Sequence, residues 1–312
     1  MREAIEVVEE AFKELHAGKA IMPERTTLML KNGSISQMSA YLKKMNIATT
    51  KVFGIFPKNI KYNLPTTVAT LLVYATETGK VTAVMDATYL TAVRTGAVSG
   101  VATKYLARKD SKKVGIIGCG MQGRTQLWAV MEVREIEKVY AYDKVVNAKR
   151  TFAEEMSKKL GVDIIPVDST QKAVKDADII ITATTSTTPV VKGKWLSDGA
   201  HINAIGSYYP HARELDTETI VKSKLVVDLR KAALEEAGDV ILPIKEGAIT
   251  EKHIYAELGE IVTGNKPGRV NDREITVFKS VGLAIQDAAV SKLIITRYLK
   301  LHYERETDKF KH

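Results

Sequence analysis

The chain opens with a helical pattern of apolar positions. Ile5, Val8, Phe12 and Leu15 recur every three or four residues, which places them on one face of a helix. Gly18 follows the last of them, as is typical of a helix end. The pattern therefore predicts an amphipathic helix at the start of the chain.

Short β-like segments separated by turn residues follow this helix. These segments are "TTLML", "TTKVFGIF", "TVATLLVYA" and "VTAVMDA". They indicate a mostly antiparallel sheet, because turn sequences such as Lys31–Gly33 join them. A long helix is expected next, from about Thr88 to Arg108. It carries several small residues that allow close packing: Ala92, Gly96, Ala97, Ser99 and Gly100.

From Lys113 the pattern changes to continuous apolar runs that alternate with helical segments. The runs are "VGIIG", "KVYAYD", "VDIIPV", "ADIIITAT", "HINAIG" and "KLVVDL". Runs of this kind are typical of a parallel sheet buried on both faces. Helices are expected between them, for example at Met121–Val133 and Asn147–Leu160, and a last long helix from about Val281 to Tyr303.

These patterns predict an α/β protein with two domains. Residues 109–287 form a Rossmann doubly wound parallel sheet. Residues 1–108 and 288–312 form a discontinuous α+β domain, because the last helix is expected to return to the first sheet. A chain of 312 residues is long enough for two hydrophobic cores.

A glycine pattern marks the first turn of the predicted parallel sheet. Gly118, Gly120 and Gly123 follow an apolar strand and open a helix. Such glycines allow the tight turn, the approach of a pyrophosphate and close helix–strand packing, in that order. A helix N-terminus also favours anions. The strand, the glycines and the helix together predict a dinucleotide-binding loop.

The next apolar strand ends at Asp143, 20 residues after Gly123. An acidic residue at this place hydrogen-bonds the ribose hydroxyls of NAD. NAD(H) is therefore favoured, and NADP(H) stays open because Lys144 and Arg150 lie near in sequence. The predicted cofactor-binding set is Thr95, Gly118, Gly120, Met121, Gln122, Gly123, Asp143, Thr184 and Gly206.

Composition narrows the partners. The formal charge is +9, yet the positive residues are spread along the chain, so nucleic-acid binding is not expected. No apolar run is long enough for a membrane span, and no metal site is predicted. The single cysteine, Cys119, fits a reducing cytoplasm and is interpreted as a small apolar filler of the glycine loop.

With these residues in view, the chain resembles the ornithine cyclodeaminase/μ-crystallin family over nearly its whole length. The matching segments are "MPERT", "TTK", "AVMDATYLTAVRTGA", "GIIGCGMQG", "HINAIG", "RELD", "AELGEI" and "VFKSVGLAIQDAA". The resemblance implies that the discontinuous domain binds substrate and forms a homodimer. It also implies NAD(H) or NADP(H) chemistry on small amino acids, 2-oxo acids or cyclic imines.

The resemblance further implies a substrate carboxylate held by Arg25 and Lys51, with Arg94 near the substrate and the cofactor phosphates. The chemistry of these side chains agrees, since a guanidinium grips a carboxylate in two places and a lysine adds a point charge and a proton donor. Both Arg25 and Lys51 are therefore the predicted catalytic residues. Asp86 and Thr95 flank the cluster in sequence.

Two acidic residues of related enzymes are replaced in this chain. Tyr208 stands where the family's cyclodeaminases and its archaeal alanine dehydrogenase carry an aspartate that contacts the substrate amine. Ser36 stands near the position of a cyclodeaminase glutamate. Tyr208 is predicted to line the substrate pocket, either as a proton donor or as part of the wall. A tyrosine is a poor base near neutral pH.

The expected function is therefore NAD(P)H-dependent reduction of a small cyclic imino acid such as pyrroline-2-carboxylate. An imine needs a hydride and a proton, whereas oxidation of an amino acid also needs a base that deprotonates its ammonium group. Amino-acid dehydrogenation of the alanine dehydrogenase type, ornithine cyclodeamination and non-catalytic binding of a dinucleotide or another small ligand remain as alternatives.

Overall fold

Two sheets of different type make up the fold, which was obtained as a computed structural model. The structure describes the backbone of residues 1–309 and the side chains of residues 1–301. The chain separates into two units. The Rossmann unit comprises Met1–Arg2 and Thr95–Gly282, and the antiparallel unit comprises Glu3–Arg94 and the segment from Leu283 onward.

The antiparallel unit contains a six-stranded sheet in the order β1-β3-β4-β5-β6, with β2 paired to β3. Its strands are β1 (Ala20–Ile21), β2 (Thr26–Leu30), β3 (Gly33–Leu42), β4 (Ile47–Ile55), β5 (Thr67–Tyr74) and β6 (Val81–Asp86). Helix α1 (Arg2–His16) buries the predicted apolar positions Ile5, Val8 and Phe12. Helix α10 (Ala284–Lys309) packs against β3 and β4.

Strand β3 is the one long strand of this sheet that the apolar pattern did not indicate. It pairs with β1, β2 and β4. Its buried face begins with Ser34 and Ser36 before it turns apolar at Met38, while Ile35 on the other face is exposed. Small serines on the inward positions hide the alternation of apolar and polar residues on which strand prediction depends.

The Rossmann unit is built on eight parallel strands in the order β13-β12-β14-β11-β10-β7-β8-β9. The strands are β7 (Lys113–Ile117), β8 (Lys138–Tyr142), β9 (Asp163–Pro166), β10 (Ile179–Thr182), β11 (His201–Ala204), β12 (Ser223–Val227), β13 (Ile254–Glu257) and β14 (Ile275–Lys279). Every residue of β10 and of β11 is buried, as expected for a sheet covered on both faces.

Seven α-helices lie wholly within the Rossmann unit. They are α3 (Met121–Val133), α4 (Val146–Leu160), α5 (Thr170–Val174), α6 (Thr217–Val221), α7 (Arg230–Glu236), α8 (Gly238–Lys245) and α9 (Leu258–Val262). The chain runs from β7 outward through β8 to β9, and then resumes at β10 on the other side of β7. The strand order therefore reverses beside β7, where α/β proteins of this kind bind ligands at the carboxyl ends of the strands.

Helix α2 (Thr88–Leu106) contains the division between the units, at Arg94 and Thr95. The expected close packing is present, because a Cβ on Gly96 would lie 2.5 Å from the Thr125 carbonyl oxygen on α3. The last helix begins at Ala284 rather than Val281 and extends to Lys309. Gly282, with φ +85°, belongs to the turn before it.

The α/β fold class with its parallel and antiparallel sheets is confirmed. The domain boundaries of 1–108, 109–287 and 288–312 stay a prediction, and residues 310–312 of the last segment lie outside the described residues. Within the described residues, no helix combines the length and apolar character required to cross a bilayer. The same residues contain no group of three or more His, Cys, Asp or Glu side chains suited to a metal ion.

Candidate active site

The glycine loop lies between β7 and α3, at the reversal point of the parallel sheet. Gly118 adopts φ +100°, a conformation that side-chain-bearing residues rarely take. A Cβ on Gly123 would lie 2.2 Å from the Gly118 carbonyl oxygen, so Gly123 allows the helix to approach the strand. A Cβ on Gly120, in contrast, would meet no atom within 4 Å. The loop therefore has the turn, the packing and the open space that a pyrophosphate requires.

Asp143 follows β8 and is half-buried beside this loop. Its Oδ2 accepts a hydrogen bond from the Cys119 N–H at 2.9 Å, and its Oδ1 accepts one from the Val145 N–H at 2.9 Å. A carboxylate has about four lone-pair positions, so hydroxyl donors can still bind it. Asp143 thus orders the glycine loop and can receive a ribose. Lys144 and Arg150 are exposed nearby in sequence.

Cys119 is buried within the loop, as expected for a filler. Burial, and secondarily the charge of Asp143, raises the pKa of its thiol to about 12. The thiol is therefore protonated at neutral pH and is not a nucleophile.

The loops after β10 and β11 are joined by the carboxylate of Glu214, a residue that sequence reasoning did not single out. Oε1 accepts from the Thr184 N–H at 2.7 Å, and Oε2 accepts from the Gly206 N–H and the Thr182 hydroxyl, each at 2.8 Å. Glu214 is fully buried, and this burial raises its pKa. A Cβ on Gly206 would lie 2.4 Å from Thr184 backbone atoms. Thr184 and Gly206 are thus held together beside the predicted cofactor crevice.

The remaining predicted residues of the Rossmann unit have mixed environments. Met121 is 54% exposed at the start of α3, where a ligand can reach it. The Thr95 carbonyl accepts a hydrogen bond from Gln126 Nε2 at 2.8 Å. Tyr208 is partly buried, packs against the core of this unit and has its ring 4.6 Å from that of Tyr209. The roles of these residues, and of Gln122, stay predictions.

In the antiparallel unit, Lys51 lies on the inner face of β4 and is 2% exposed. Its Nζ donates to both carboxylate oxygens of Asp287, each at 2.8 Å, and to the Thr91 hydroxyl at 3.3 Å. Burial lowers the pKa of Lys51 to about 7, although the charge of Asp287 opposes this shift. Lys51 can therefore give up a proton near neutral pH.

Arg94 lies against the same carboxylate. Its Nε donates to Asp287 Oδ1 at 3.1 Å, and its Nη1 donates to Gln286 Oε1 at 2.7 Å. Because Gln286 must present its oxygen to Arg94, its Nε2 points elsewhere, and within the described side chains this nitrogen has no hydrogen-bond partner. The structure thus joins two of the three predicted cations through one aspartate.

Arg25 completes the predicted set from the segment before β2. Its guanidinium carbon lies 5.9 Å from the centre of the Phe53 ring, and Lys51 Nζ lies 5.2 Å from the same centre. Arg25 also contributes to the lowered pKa of Lys51. Phe53 therefore places an aromatic face within reach of both cations. Such a cluster of positive charge favours a small carboxylate ligand.

Ser36 and Asp86 have structural partners in this unit. The Ser36 hydroxyl is hydrogen-bonded to that of Thr27 at 2.9 Å. Asp86 is exposed and accepts from the backbone N–H of Thr88 at 3.0 Å and from its hydroxyl at 3.2 Å, at the start of α2. A side chain that bonds the residue two positions ahead forms an Asx turn, which here leads into the helix. Asp86 therefore stabilises the beginning of α2.

The sequence model of the Ornithine cyclodeaminase/mu-crystallin family matches residues 1–301. The chain belongs to this family. The family predicted from the sequence motifs is thereby confirmed.

Individual relatives cover almost the whole chain. A structure of Delta(1)-pyrroline-2-carboxylate reductase from Thermococcus litoralis, in complex with NADH and L-proline, is 54% identical with a TM-score of 0.95. It covers 97% of this chain and 94% of its own. A dimer of an archaeal alanine dehydrogenase with bound NAD is 40% identical with a TM-score of 0.92, covering 97% and 92%. Delta(1)-pyrroline-2-carboxylate reductase of Bacillus cereus is 40% identical over 303 residues, covering 96% and 93%.

Asp287 is the main site residue that sequence reasoning missed. It lies in "VFKSVGLAIQDAA", a segment that carries the family resemblance, yet the pattern alone indicates only a helix. The one available signal was an acidic residue within an otherwise apolar helical segment. Because an unpaired buried carboxylate is costly, such a residue indicates a buried partner of opposite charge. The sequence does not indicate which cation the carboxylate meets.

Proposed function

We propose that this protein is an NADH-dependent reductase of small cyclic imino acids such as pyrroline-2-carboxylate. The observation that carries the proposal is the cluster of Arg25, Lys51 and Arg94 in the antiparallel unit. In it, a buried lysine with a pKa of about 7 lies among groups suited to a carboxylate. The pyrroline-2-carboxylate reductases among the relatives support the substrate class.

The residues of the glycine loop fit the adenine dinucleotide. The open space at Gly120 admits the pyrophosphate, the start of α3 favours its charge, and Asp143 accepts the ribose hydroxyls. When bound, the reduced nicotinamide supplies the hydride. The NADH and NAD seen with the two structural relatives support this choice of cofactor.

The cations of the antiparallel unit bind and orient the substrate. Arg25 and Arg94 attract the carboxylate, and Phe53 offers an apolar surface to the methylene groups of the ring. Lys51 holds a proton at Nζ and transfers it to the nitrogen of the substrate as the C=N bond is reduced. Its pKa near 7 suits this task, because a proton donor works best when its pKa lies near the operating pH.

The test is a comparison of substrates with purified protein, following NADH and NADPH by absorbance at 340 nm. Pyrroline-2-carboxylate and piperideine-2-carboxylate with NADH are expected to react fastest. Pyruvate with ammonium tests the dehydrogenase alternative, and ornithine with NAD tests cyclodeamination through proline and ammonia. Rapid proline formation from ornithine with slow imine reduction contradicts the proposal. NADH binding without turnover of any substrate would favour the non-catalytic alternative.

Tyr208 separates the enzymatic alternatives further. If it occupies the place of an aspartate that serves the amine, Tyr208→Asp raises amino-acid oxidation relative to imine reduction. The ratio of proline oxidation with NAD to imine reduction with NADH measures this change. An unchanged ratio, in a variant that still binds NADH, assigns Tyr208 to the wall.

The homodimer is also part of this proposal. The outer face of the six-stranded sheet exposes several apolar side chains: Leu28 and Ile35 lie opposite each other on β2 and β3, with Val52 on β4 and Val68 on β5. Such a face is suited to an interface, and the archaeal alanine dehydrogenase relative is a dimer. A cytoplasmic location remains a prediction that rests on the use of a single cysteine.

A further inference from the structure

We propose that Asp287 is a positioning residue of the substrate site. It holds the Lys51 ammonium and the Arg94 guanidinium in place and keeps Lys51 charged until the substrate nitrogen takes the proton. This inference rests on the proposed imine reduction for its catalytic meaning, but its binding test does not depend on turnover.

The position and contacts of Asp287 support this role. The residue lies in the first turn of α10, a helix that packs against the strand carrying Lys51. Asp287 is 1% exposed and Lys51 is 2% exposed. Both carboxylate oxygens are 2.8 Å from Lys51 Nζ, and one of them also receives Arg94 Nε at 3.1 Å. One carboxylate thereby sets the position of two cations.

The hydrogen-bond count of Lys51 shows how it can reach a substrate. An ammonium has three N–H donors. Three oxygen atoms lie within 3.3 Å of Nζ, two from Asp287 and one from Thr91. The contact with Thr91 is the longest of the three. Lys51 can therefore exchange Thr91 for a substrate atom and remain held by Asp287.

The charges around Lys51 explain why the carboxylate is needed. Arg94 on α2 and Arg25 before β2 both lower the pKa of Lys51, in addition to burial, and Asp287 on α10 raises it. The paired residues on the neighbouring strands, Met38 of β3 and Leu71 of β5, are uncharged. Without Asp287, the buried ammonium would lose its proton at a lower pH, and the proton donor would be absent at neutral pH.

The proposed step transfers one hydride and one proton to the imine. The imine carbon gains a hydride, for which NADH is oxidised to NAD⁺, and the electron pair of the C=N bond moves to nitrogen. A new N–H bond forms as one Nζ–H bond of Lys51 breaks. Lys51 becomes a neutral amine that accepts a hydrogen bond or a proton from water. Asp287 remains within hydrogen-bond distance of Nζ, where it can position the lysine for the returning proton.

The experiment compares Asp287→Asn with Glu10→Gln, a variant that loses one negative charge elsewhere in the antiparallel unit. Glu10 is partly exposed and pairs with Lys13 and Lys44. The kcat for pyrroline-2-carboxylate reduction is measured from pH 5.5 to 9.5. In Asp287→Asn, kcat is expected to fall at least about tenfold at neutral pH. Its alkaline decline is expected to move to lower pH by about one unit or more.

Two further measurements separate positioning from general damage. The affinity for NADH is expected to stay within about twofold, because the glycine loop belongs to the Rossmann unit. Asp287→Glu retains the charge but lengthens the side chain, so it is expected to keep the alkaline decline of the native protein and still lose part of kcat. If Asp287→Asn does not fold, Asp287→Glu decides the matter. A native kcat with a native pH profile in either variant overturns the proposal.

A binding experiment tests the inference if cyclic imines prove not to be substrates. Pyrrole-2-carboxylate is a planar ring carboxylate that cannot be reduced in this way, and calorimetry measures its affinity at each pH in the presence of NADH. Affinity is expected to weaken as pH rises through the pKa of Lys51, and to do so at lower pH in Asp287→Asn. The same midpoint in both proteins overturns the role of Asp287. Failure of imine turnover alone overturns only the proposed function.

Discussion

At the scale of one side chain, substitution of Arg25 tests the proposed carboxylate site. Replacement by alanine removes a two-pronged, charge-assisted contact, which costs about 1.5–3 kcal/mol. We therefore expect kcat/KM for pyrroline-2-carboxylate to fall at least about tenfold in Arg25→Ala. Arg25→Lys is expected to restore little, since an ammonium lacks the planar fork. Steady-state kinetics provides the measurement, and native kinetics in Arg25→Ala would remove this residue from the site.

Lys51 determines the expected pH dependence of the reaction. In the proposed reaction the protonated form is the active one, so kcat is expected to decline as pH rises through about 7, the pKa of the buried ammonium. In Lys51→Arg the guanidinium stays protonated over the whole range. Because a guanidinium is a poor proton donor, kcat of this variant is expected to fall at least about 100-fold. The decline of kcat near pH 7 is expected to disappear. A Lys51→Arg profile that keeps this decline assigns it to another group.

Asp143 is predicted to set the choice between NADH and NADPH. Its negative charge repels a 2′-phosphate, and its oxygens also hold the backbone of the glycine loop. Asp143→Asn removes the charge but keeps an acceptor oxygen, so it disturbs the loop less than alanine does. We expect the NADH to NADPH ratio of kcat/KM to fall at least about fivefold, mainly through weaker binding of NADH. A native protein that already prefers NADPH would show that Lys144 or Arg150 dominates.

At the scale of elements, two substitutions in the turn from β7 to α3 distinguish effects on folding from effects on cofactor binding. Gly120 has φ −77°, and a Cβ at this position would meet no atom within 4 Å, so Gly120→Leu is expected to fold normally. Its side chain would occupy the space proposed for the pyrophosphate, so NADH affinity is expected to fall at least about tenfold. In Gly123→Leu the new Cβ meets the Gly118 carbonyl at 2.2 Å. That variant is expected to lose about 1–3 kcal/mol of unfolding free energy.

Thermal denaturation and NADH fluorescence titration measure the two effects in the same pair of proteins. Equal loss of stability in both variants would mean that Gly120 also has a packing role. Unchanged NADH affinity in Gly120→Leu would exclude the loop as the pyrophosphate site.

The elements themselves were predictable to different degrees. Helix α3 has the predicted bounds, because its start is marked by the glycine loop. Strand β3 escaped prediction because serines occupy its first inward positions, where Ser34 and Ser36 are buried. The carboxylate of Glu214 joins two loops that follow different strands, and a side chain that bonds two distant backbones leaves no periodic signal.

At the scale of the whole molecule, the exposed face of the six-stranded sheet predicts self-association. Val52 is 39% exposed on the central strand β4, and Val52→Asp places a charge on this face. We expect this variant to shift the protein from dimer towards monomer in light scattering coupled to size exclusion. Val221→Asp is the control, because Val221 is 46% exposed on α6 of the Rossmann unit. Dimers in Val52→Asp, or equal dissociation in both variants, would contradict this interface.

The sequence by itself predicted the two-sheet α/β class and the glycine loop with Asp143. These features are local: apolar periods of about two or 3.6 residues, and glycines at a fixed spacing after a strand. The family motifs added the three candidate cations, Arg25, Lys51 and Arg94, and the class of reaction. None of these inferences required knowledge of which distant residues meet.

Only the tertiary structure decided what surrounds the cations. Lys51 and Asp287 are separated by 236 residues, and Arg94 and Asp287 by 193, so no local pattern links them. Burial takes Lys51 out of water and lowers its pKa to about 7. The charge of Asp287 acts in the opposite direction and preserves part of the basicity of Lys51. The proton affinity of a side chain depends on the solvent and charges around it, and only folding brings those surroundings together.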